Sequence, residues 1–535
     1  MFDLVIKNAT IYDGSGNTPF LGDVAVLDGK IAAVGKDLGT AKETVDAQGL
    51  ALSPGFIDAH SHADGTIFAH PERHHALKMG VTTEVCGTCS ISYAPVDTED
   101  PAVLYDLCGT SAFQHRFFRT FRQELDAINA LPLGPNLAIF TGHTPLRYSA
   151  MGTENRAPTP EELQKMQKEL AQAMEDGAFG YTTGLSYVPG IYSKKDELVA
   201  LAKAIAPYGG IYSSHSRSES AGLFKSVQEC IDIAEEAGVT AVISHFKCTG
   251  KTFWSRCKPA LQMIDDANSR GLQVYLDAYP YIACSTTTTS AIPSRFLDQG
   301  PEAFARSLND PNIVEQIRKE IFEIDDPSWD NSALHVGLEN FLVVGAEKTP
   351  EFVGKTYAQI GQELNISPFD AMVHVLRLNH GLVRDLRYSM CEENVETILS
   401  HPRCVVGSDG LFAKGRDTIC HPRAFGTFPR YLGRYIRERK ILSPQEGIRR
   451  ITGQTADLYR LQGKGYIRAG YDADLVLFDF DRIIDHADFQ DPFKPNEGIH
   501  RVYMAGQLVL QDNEPTGVYV GGCLDNQHLQ KGFTL

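Results

Sequence analysis

The sequence lacks any run of 18 consecutive apolar residues, and its N-terminus lacks a basic segment followed by an apolar one. A helix that crosses a bilayer needs roughly 20 predominantly apolar residues, and a secretory signal needs its basic and apolar segments in that order. Residues 2–6 have instead the composition of a β-strand. We therefore expect a cytoplasmic protein that makes no contact with a membrane.

An excess of positive charge and a regular cysteine pattern are also missing. The formal net charge is -17 at pH 7, which argues against nucleic acids and anionic membrane surfaces as partners. The 11 cysteines are scattered without regular spacing through 535 residues, which indicates reduced thiols rather than a disulfide framework. A cysteine that lies near histidines is therefore a candidate metal ligand.

Both ends of the chain have the pattern of short β-strands separated by turns. Residues 1–52 alternate β-rich runs with turn signals such as Asp13-Gly14 and Asp28-Gly29, and the same pattern returns after residue 456. We expect residues 1–52 and 457–520 to fold together as one small, discontinuous β-sandwich. Residues 521–535 are predicted to form a C-terminal tail that is mobile or docked on a partner.

Residues 53–456 alternate apolar strands with amphipathic helices such as Pro160–Asp176, Lys194–Tyr208 and Gly222–Ala237, a pattern typical of βαβ units. The eight predicted strands are Gly55–His62, Val81–Gly87, Asn136–His143, Gly177–Gly184, Gly210–Arg217, Thr240–Lys247, Leu272–Tyr279 and Cys404–Gly410. This rhythm predicts an α/β fold, a (β/α)8 TIM-like barrel whose functional residues gather at the carboxyl ends of the strands.

The seventh and eighth predicted strands are separated by residues 280–403, a stretch too long for one crossover connection. We therefore expect an inserted subdomain at about residues 285–396, near the barrel mouth and contributing to the substrate pocket.

Pro54-Gly55 marks the entry to the first barrel strand, which runs through an apolar segment into His60 and His62. Residues two apart in a strand point to the same side, so the two imidazoles lie close together. Such a pair suits a divalent metal, and imidazole favours zinc. The alternative is a chance His-x-His on a solvent face, and only further ligands can decide between the two.

Further metal-type residues lie near the carboxyl ends of other predicted strands. They are Cys89 after strand two, His215 in strand five, His245 in strand six and Asp409 in strand eight. One such residue alone is more often part of the core. Several at the same rim of a barrel indicate a metal site.

These motifs resemble the amidohydrolase superfamily and, more closely, its N-acyl-D-amino-acid deacylase (D-aminoacylase) branch. The segments that carry the resemblance are PGFIDAHSH, GVTTEVCGTCS, FTGHTPLR, GYTTGLSYVPGIYS, SSHSRSE, ISHFKCTGK, DAYPYIACSTT, SDGLF, HPRAFGTFPRYLGRYIRE and GYIRAGYDADLVLFD. They follow the family order over nearly the whole chain. The resemblance implies zinc-dependent hydrolysis of a small N-acyl-D-amino acid, or of a related amide or dipeptide that contains a D-residue, to a carboxylic acid and a free D-amino acid. It leaves homo-oligomer formation open.

The resemblance also implies how the ligands divide between two metal positions. The tight zinc position matches Cys89, His215 and His245, and a second, weaker position that shares the cysteine matches His60, His62 and Asp409. In many other amidohydrolases a carboxylated lysine takes the place of this bridging thiolate, and strand four offers no lysine here.

One departure from the family pattern concerns the cysteine loop. The family usually has Asn-Cys-Gly, whereas this chain has Thr88-Cys89-Ser90, which leaves the occupancy of the second metal position open. Cys86 is a competing thiol, but the family spacing from His60 falls on Cys89 and leaves Cys86 to the core.

Asp409 is the predicted proton-transfer residue. Bound Zn²⁺ can lower the pKa of water to about 7 and stabilise a developing oxyanion. Asp409 is then expected to act as general base toward the water and as general acid toward the leaving amine. A helix-capping role is the alternative for this aspartate.

The resemblance implies that a substrate α-carboxylate is bound by Lys247 and Arg295, with Tyr187 and Ser285 nearby. For each of the two cations, a solvated surface position is the alternative.

Other polar residues near the predicted rim have less defined roles. His143 either binds substrate or makes a supporting hydrogen bond. Arg377, Arg384 and Arg387 in the insertion are candidates for selecting an acidic side chain.

Two alternative functions remain open at this point. One is a cyclic amide or imide hydrolase of the dihydropyrimidinase type, against which the missing strand-four lysine argues. The other is a non-catalytic assembly protein on the same scaffold, against which the full set of six ligands argues.

Overall fold

A computed structural model describes residues 1–99, 101–107, 116–324, 326, 328–412 and 420–526. Its β-strands are β1 (Phe2–Ile11), β2 (Phe20–Leu27), β3 (Lys30–Gly35), β4 (Ala41–Asp46), β5 (Ala51–Pro54), β6 (Phe56–Asp58), β7 (Val81–Cys86), β8 (Asn136–Ile139), β9 (Thr141–Gly142), β10 (Gly180–Gly184), β11 (Ile211–His215), β12 (Thr240–Ile243), β13 (Val274–Ala278), β14 (Cys284–Thr287), β15 (Phe341–Gly345), β16 (Arg384–Arg387), β17 (Cys404–Val406), β18 (Leu475–Phe478), β19 (Ile499–Met504), β20 (Gln507–Gln511) and β21 (Glu514–Pro515).

The α-helices are α1 (His74–Leu77), α2 (Ala102–Leu107), α3 (Phe121–Asn129), α4 (His143–Met151), α5 (Pro160–Asp176), α6 (Lys195–Ile205), α7 (Leu223–Ala237), α8 (Cys257–Ser269), α9 (Pro301–Ser307), α10 (Pro311–Lys319), α11 (Tyr357–Leu364), α12 (Pro368–Leu378), α13 (Glu392–Ser400), α14 (Arg423–Arg430), α15 (Pro444–Arg450) and α16 (Gly453–Tyr459). Helix α14 continues into a π-helical segment, Tyr431–Glu438. None of the described helices combines the length and the apolar character needed to cross a bilayer.

Strands from both ends of the chain form one hydrogen-bonded sheet. Its order is β21-β20-β19-β18-β5-β1-β2-β3, with β4 paired to β1. The two ends meet where β5 pairs antiparallel with β18, and Leu52 lies opposite Leu477. Leu4 and Ile6 from the first strand pack in the same apolar cluster as Leu475. The two ends therefore share one core.

The central strands form two parallel sheets, β17-β13-β12-β11-β10-β9 and β6-β7-β8. Strands β8 and β9 are successive parts of one strand position, because Phe140 alone separates them. At one seam between the sheets, the N–H of Phe179 donates to the carbonyl of Ile139 at 3.0 Å. At the other, the N–H of Ala59 donates to the carbonyl of Val406 at 3.1 Å. The strand order therefore runs through eight successive positions in the described chain.

The C-terminal segment 521–526 lies against the third strand position. The N–H of Leu137 donates to the carbonyl of Gly522 at 3.0 Å, and the N–H of Leu524 donates to the carbonyl of Leu137 at 2.8 Å. The side-chain amide of Asn526 donates to the carbonyl of Ala178, just before β10. The prediction of a mobile or partner-docked tail is therefore wrong for residues 521–526, because their backbone groups pair with the barrel wall. Residues 527–535 lie outside the described residues.

Helix α5 shows how local sequence sets the helix ends. The Thr159 side chain accepts from the N–H of Glu162, whose carboxylate accepts from the N–H of Thr159 at 2.7 Å. This reciprocal pair is a capping box. Pro160 occupies the first turn, where its missing N–H costs nothing, and Gly177 ends the helix with a φ of 124°.

The inserted subdomain lies between β13 and β17. It contains the antiparallel sheet β14-β16-β15 and helices α9–α12, packed around an apolar core that includes Phe341, Ile360 and Met372. Helix α13 instead packs Val395 and Leu399 into the barrel core. The insertion therefore ends before α13, and the predicted boundary near residue 396 falls inside a barrel helix.

Candidate metal centre

Within the described residues, two groups of side chains could hold a metal ion, each with ligand atoms within 4.8 Å of one another. The three-ligand group is Cys89, His215 and His245, and the four-ligand group is His60, His62, Cys89 and Asp409. Cys89 belongs to both groups. The structure thus brings together all the residues that the sequence selected as metal ligands.

Three of these ligands have an uncommon backbone conformation. The φ angle is 52° at Cys89, 36° at His245 and 49° at Asp409, in the left-handed region that costs L-residues about 1–3 kcal/mol each. Each lies in the turn that follows strand β7, β12 or β17. Such strain persists only where surrounding contacts compensate it, and it concentrates at functional sites.

Gly407 permits the close approach of strands β6 and β17. A Cβ at this position would lie 2.5 Å from the Cβ of His60. The N–H of Asp409 donates to the carbonyl of His60 at 2.7 Å. Asp58 Oδ1 accepts from the N–H of Ser408 at 2.8 Å and from the N–H of His60 at 3.1 Å. Gly407 and Asp58 therefore hold His60 beside Asp409.

Two members of the three-ligand group, Cys89 and His215, have pKa shifts that favour the protonation states that zinc requires. Burial would raise the pKa of Cys89, but His60 and His245 hold it well below its usual value. The Cys89 Sγ lies 3.3 Å from the Nε2 atoms of both histidines. Burial lowers the pKa of His215, and its buried Nδ1 has no hydrogen-bond partner in the described part of the chain. A thiolate beside a neutral imidazole with an unused nitrogen fits Zn²⁺.

Glu219 and Lys247 orient His245 from behind. Lys247 Nζ lies 2.6 Å from Glu219 Oε1 and 2.7 Å from His245 Nδ1. The same glutamate oxygen lies 3.2 Å from His245 Nδ1. Burial would raise the pKa of Glu219, but Lys247 and His245 hold it at about 2. The Nδ1 side of His245 is therefore engaged while Nε2 faces Cys89, an arrangement common for metal-binding histidines.

In the four-ligand group, the side chains already interact with one another and with neighbours. His62 Nε2 lies 3.1 Å from Asp409 Oδ1, and His60 Nε2 lies 3.6 Å from the same oxygen. His60 Nδ1 lies 3.2 Å from Asp277 Oδ2. Asp409 Oδ2 lies 2.7 Å from Arg423 Nη1. Both carboxylate oxygens of Asp409 are therefore in contact with a cationic or hydrogen-bonding partner.

These contacts shift the pKa values of His62 and Asp409 in opposite directions. Burial would lower the pKa of His62, but Asp409 and Cys89 raise it to about 9. Burial would raise the pKa of Asp409, but Arg423 and His62 hold it well below its usual range. At neutral pH this group therefore contains an ionised carboxylate beside a protonated imidazole.

Both ligand groups open into a cavity of about 120 Å³, here named the inner cavity. Its other charged and polar lining residues include Tyr187, Glu219, Lys247, Ser285, Asp330, Arg384, Arg387 and Arg423. It adjoins a space of about 560 Å³, here named the outer chamber, which lies between the barrel and the inserted subdomain. The predicted substrate residues Tyr187, Lys247 and Ser285 thus lie at the site.

The cations of the inner cavity differ in their pairing. Lys247 is paired with Glu219, Arg423 is paired with Asp409, and Arg387 Nε donates to Asp385 Oδ1 at 2.8 Å. Arg384 is half-buried and forms no ion pair within the described residues, and burial lowers its pKa. Arg384 is therefore available for an anionic group of a ligand.

Three residues predicted to contact the substrate, Arg295, Arg377 and His143, do not line the inner cavity or the outer chamber. Arg295 lies outside the cavity, 53% exposed and paired with Glu320, because its short helical turn faces solvent. Arg377 is also exposed, on the outer side of α12. His143 is buried outside the lining of both spaces, and its Nε2 lies 2.9 Å from Glu197 Oε1. Of the two roles considered for His143, substrate binding and a supporting hydrogen bond, this contact fits the supporting hydrogen bond.

Four residues around the site were missed from sequence, namely Asp277, Arg423, Glu219 and Asp330. Asp277 in β13 could have been found by the strand-end pattern that selected Asp409. Arg423 lies in the motif HPRAFGTFPR, but only folding brings it to Asp409. Asp330 of the insertion accepts at Oδ1 from the N–H of Glu219 at 3.3 Å. No local sequence signal marks Glu219 or Asp330 as a residue of the site.

Comparison with known proteins agrees with this geometry. A model of the amidohydrolase family matches residues 342–510. A D-aminoacylase from Alcaligenes xylosoxydans xylosoxydans is 32% identical over 524 residues, covering 98% of this chain and 97% of the relative. The chain is also similar to the crystal structure of N-acyl-D-glutamate deacylase from Bordetella bronchiseptica, which was complexed with zinc and a phosphonate mimic of the tetrahedral intermediate. The TM-score is 0.83 and the identity 30%, covering 98% of this chain and 99% of the other. The crystal structure of dihydropyrimidinase from Brevibacillus agri NCHU1002 has a TM-score of 0.55 and 14% identity, covering 97% of this chain and 98% of the other. At this identity the likeness shows a shared fold alone.

Proposed function

The chain belongs to the N-acyl-D-amino-acid deacylase (D-aminoacylase) family of amidohydrolases, and from this premise we propose that it hydrolyses N-acyl-D-amino acids. The products are a carboxylic acid and a free D-amino acid. The observation that carries the proposal is the convergence of a cysteine thiolate, four histidines and an aspartate on a cavity lined with cations. This complete ligand set argues against a non-catalytic scaffold.

We assign the tight zinc position to the three-ligand group and a weaker position to the four-ligand group. When bound, Zn²⁺ lowers the pKa of the attacking water and stabilises negative charge on the carbonyl oxygen. The Nδ1 of His215, which is buried without a hydrogen-bond partner among the described residues, supports the first assignment. The contacts that Asp409 already makes with His62 and Arg423 support the second.

We assign proton transfer to Asp409. Its low pKa keeps the carboxylate ionised at neutral pH, so it can accept a proton from water and later pass that proton to the leaving nitrogen. His62 and Arg423 restrict its rotation because they contact opposite oxygens. The carboxylate is therefore held ready before substrate arrives.

We assign carboxylate recognition to Lys247, Arg384 and Arg387, which line the inner cavity. Guanidinium groups match a carboxylate with two parallel hydrogen bonds, and Arg384 forms no ion pair with an acid among the described residues. Tyr187 and Ser285 border the same space. This arrangement favours a linear amide that bears a free carboxylate over a cyclic imide.

The eight central strand positions support a closed (β/α)8 barrel. The two parallel sheets are connected at one seam by the hydrogen bond from Phe179 to Ile139 and at the other by the hydrogen bond from Ala59 to Val406. We also propose that the sheet built from both chain ends folds over its shared core as a small sandwich.

The test is a substrate screen with zinc supplied. N-acetyl and N-formyl amino acids of both hands, dipeptides ending in a D-residue, and hydantoins are compared by release of free amine or by ring opening. We expect hydrolysis of N-acyl-D-amino acids. Ring opening of hydantoins without action on any N-acyl-D-amino acid would overturn the proposal in favour of a cyclic amide hydrolase.

A further inference from the structure

An acid of the inserted subdomain, Asp330, makes hydrogen bonds to the barrel loop that follows β11. Its Oδ1 accepts from the N–H of Glu219 at 3.3 Å and from the hydroxyls of Ser218 at 3.1 Å and Ser220 at 2.5 Å. Hydrogen bonds to an ionised acceptor are stronger than those between neutral groups. One carboxylate oxygen of the insertion therefore holds three successive residues of a barrel loop.

The backbone on both sides of Asp330 is fixed in the core of the insertion. Trp329, Asn331 and Ala333 are buried, and the first and last of these belong to the apolar cluster of the subdomain. The side-chain amide of Asn331 donates to the carbonyl of Ile321 at 2.7 Å. The Asp330 carboxylate is therefore presented from a packed support.

Further contacts join the same parts of the insertion and the barrel. Ser220 Oγ lies 3.0 Å from His335 Nδ1. A Cβ at Gly250, in the loop after β12, would lie 2.7 Å from the carbonyl oxygen of His335, and the N–H of Gly250 donates to the carbonyl of Ser389 at 2.9 Å. This close packing limits how far Asp330 can move relative to the barrel.

Glu219 connects this interface to the metal ligands. Its backbone is held from two sides, because its carbonyl accepts from the N–H of Thr249 at 2.8 Å and its N–H donates to Asp330. Its side-chain Oε1 lies 3.2 Å from His245 Nδ1 and 2.6 Å from Lys247 Nζ. A shift of the Glu219 backbone would therefore change the position of the carboxylate that orients His245.

We infer that Asp330 is a positioning residue for zinc in the three-ligand group: it holds Glu219 at His245, so that the inserted subdomain contributes to zinc affinity without providing a ligand. This inference rests on the proposed function, which assigns the tight zinc to that group. Groups that support a metal-binding histidine contribute about 10- to 100-fold to metal affinity. Asp330 acts one contact further away, so we expect a contribution of about three- to tenfold.

The first experiment measures how tightly the zinc-loaded, full-length protein retains its last equivalent of zinc. The protein is dialysed without substrate against graded concentrations of a chelator, and zinc per chain is determined by elemental analysis. We expect Asp330→Ala to raise the Kd about three- to tenfold, because the acceptor is lost. Asp330→Asn keeps an oxygen acceptor and should stay within about twofold of the wild-type Kd. The absence of substrate excludes any effect of Asp330 on substrate binding.

Asp326 provides a matched control on the same segment. Its carboxylate is exposed and accepts from the N–H and the hydroxyl of Ser328 at 2.9 and 2.8 Å. Asp326→Ala removes the same charge from the insertion and should retain the wild-type Kd for zinc. Circular dichroism and thermal unfolding check that each variant folds. If Asp330→Ala does not fold, Asp330→Ser takes its place, because the shorter side chain cannot reach all three donors.

A double-mutant cycle tests whether Asp330 acts through Glu219. In a Glu219→Ala background there is no carboxylate left to position, so adding Asp330→Ala should change the Kd for zinc less than about twofold. An equal effect of Asp330→Ala in the wild-type and Glu219→Ala backgrounds would show that Asp330 acts by another route, which overturns the inference.

The remaining outcomes separate the inference from the proposed function. A wild-type Kd in folded Asp330→Ala overturns the inference and leaves the proposed function standing. Equal losses in Asp330→Asn and Asp330→Ala also overturn it, because the charge would then matter and the acceptor would not. The expected changes in Kd, in a protein that hydrolyses no N-acyl-D-amino acid, support the positioning role and overturn the proposed substrate.

Discussion

The two ligand groups share Cys89 but differ in what already occupies their other atoms. In the three-ligand group, the Nδ1 of His215 is buried without a hydrogen-bond partner in the described chain. In the four-ligand group, Asp409 contacts His62 and Arg423, and the pKa of His62 is raised to about 9. A metal entering the second group must displace a proton and compete with these contacts. We therefore expect similar ligands at one rim to differ in zinc affinity because of their neighbours.

The largest expected effect follows Cys89→Ala, which removes the ligand common to both groups. We expect loss of bound zinc and a fall in kcat/KM of about a thousandfold or more, because the site loses its thiolate. Elemental analysis and turnover measure the two effects. Cys86→Ala is the control, since Cys86 is buried in β7 outside both groups and this variant should retain zinc. Full zinc content in Cys89→Ala would refute the shared-ligand description.

Asp409→Asn separates proton transfer from metal binding. We expect kcat to fall about 10²- to 10⁴-fold, because the amide cannot accept the proton, while zinc in the three-ligand group is retained. The comparison requires steady-state kinetics and metal analysis of the same preparation. Near-normal turnover would contradict the assignment of Asp409, and loss of all zinc would show that the two groups do not bind independently.

The raised pKa of His62 predicts that the second zinc binds more tightly as pH rises. Below pH 9 His62 carries a proton that the metal must displace, so the apparent affinity rises at least about tenfold per pH unit up to about pH 9. The pKa of His60 is also raised, whereas in the first group the pKa of His245 is raised and that of His215 is lowered. The first zinc is therefore expected to depend less on pH than the second. Zinc titration calorimetry at pH 7 and pH 8.5 measures both affinities, and equal pH dependence would remove the proposed difference between the groups.

The smallest effects are expected from the acids behind the histidines. Glu219→Gln weakens the support of His245 and should reduce affinity for the first zinc about 10-fold or more. Asp277→Asn can still accept from the N–H of His245, which Asp277 Oδ1 contacts at 2.8 Å, but loses the negative charge beside His60. It should therefore weaken mainly the second zinc. If both variants reduce the affinity of the same zinc position, the division of the ligands into two separately supported groups is wrong.

Much of the fold and most of the metal site followed from local patterns. The strand–helix rhythm located the central strands, because alternation of apolar strands and amphipathic helices is a property of short segments. The strand ends located His60, Cys89 and Asp409 for the same reason. Arg295 was predicted from the resemblance alone, and this prediction was wrong because a matching position in sequence does not decide whether a loop faces the cavity or solvent.

The sequence by itself determined which residues could bind zinc and that they would meet at one rim, because parallel strands present their carboxyl ends on the same side. Only the tertiary structure decided which ligand atoms are free and which are engaged, since that depends on residues distant in sequence. Arg423 at Asp409, Glu219 at His245 and Asp277 at His60 make the difference. Burial removes water as an alternative partner, so these contacts control both charge and affinity.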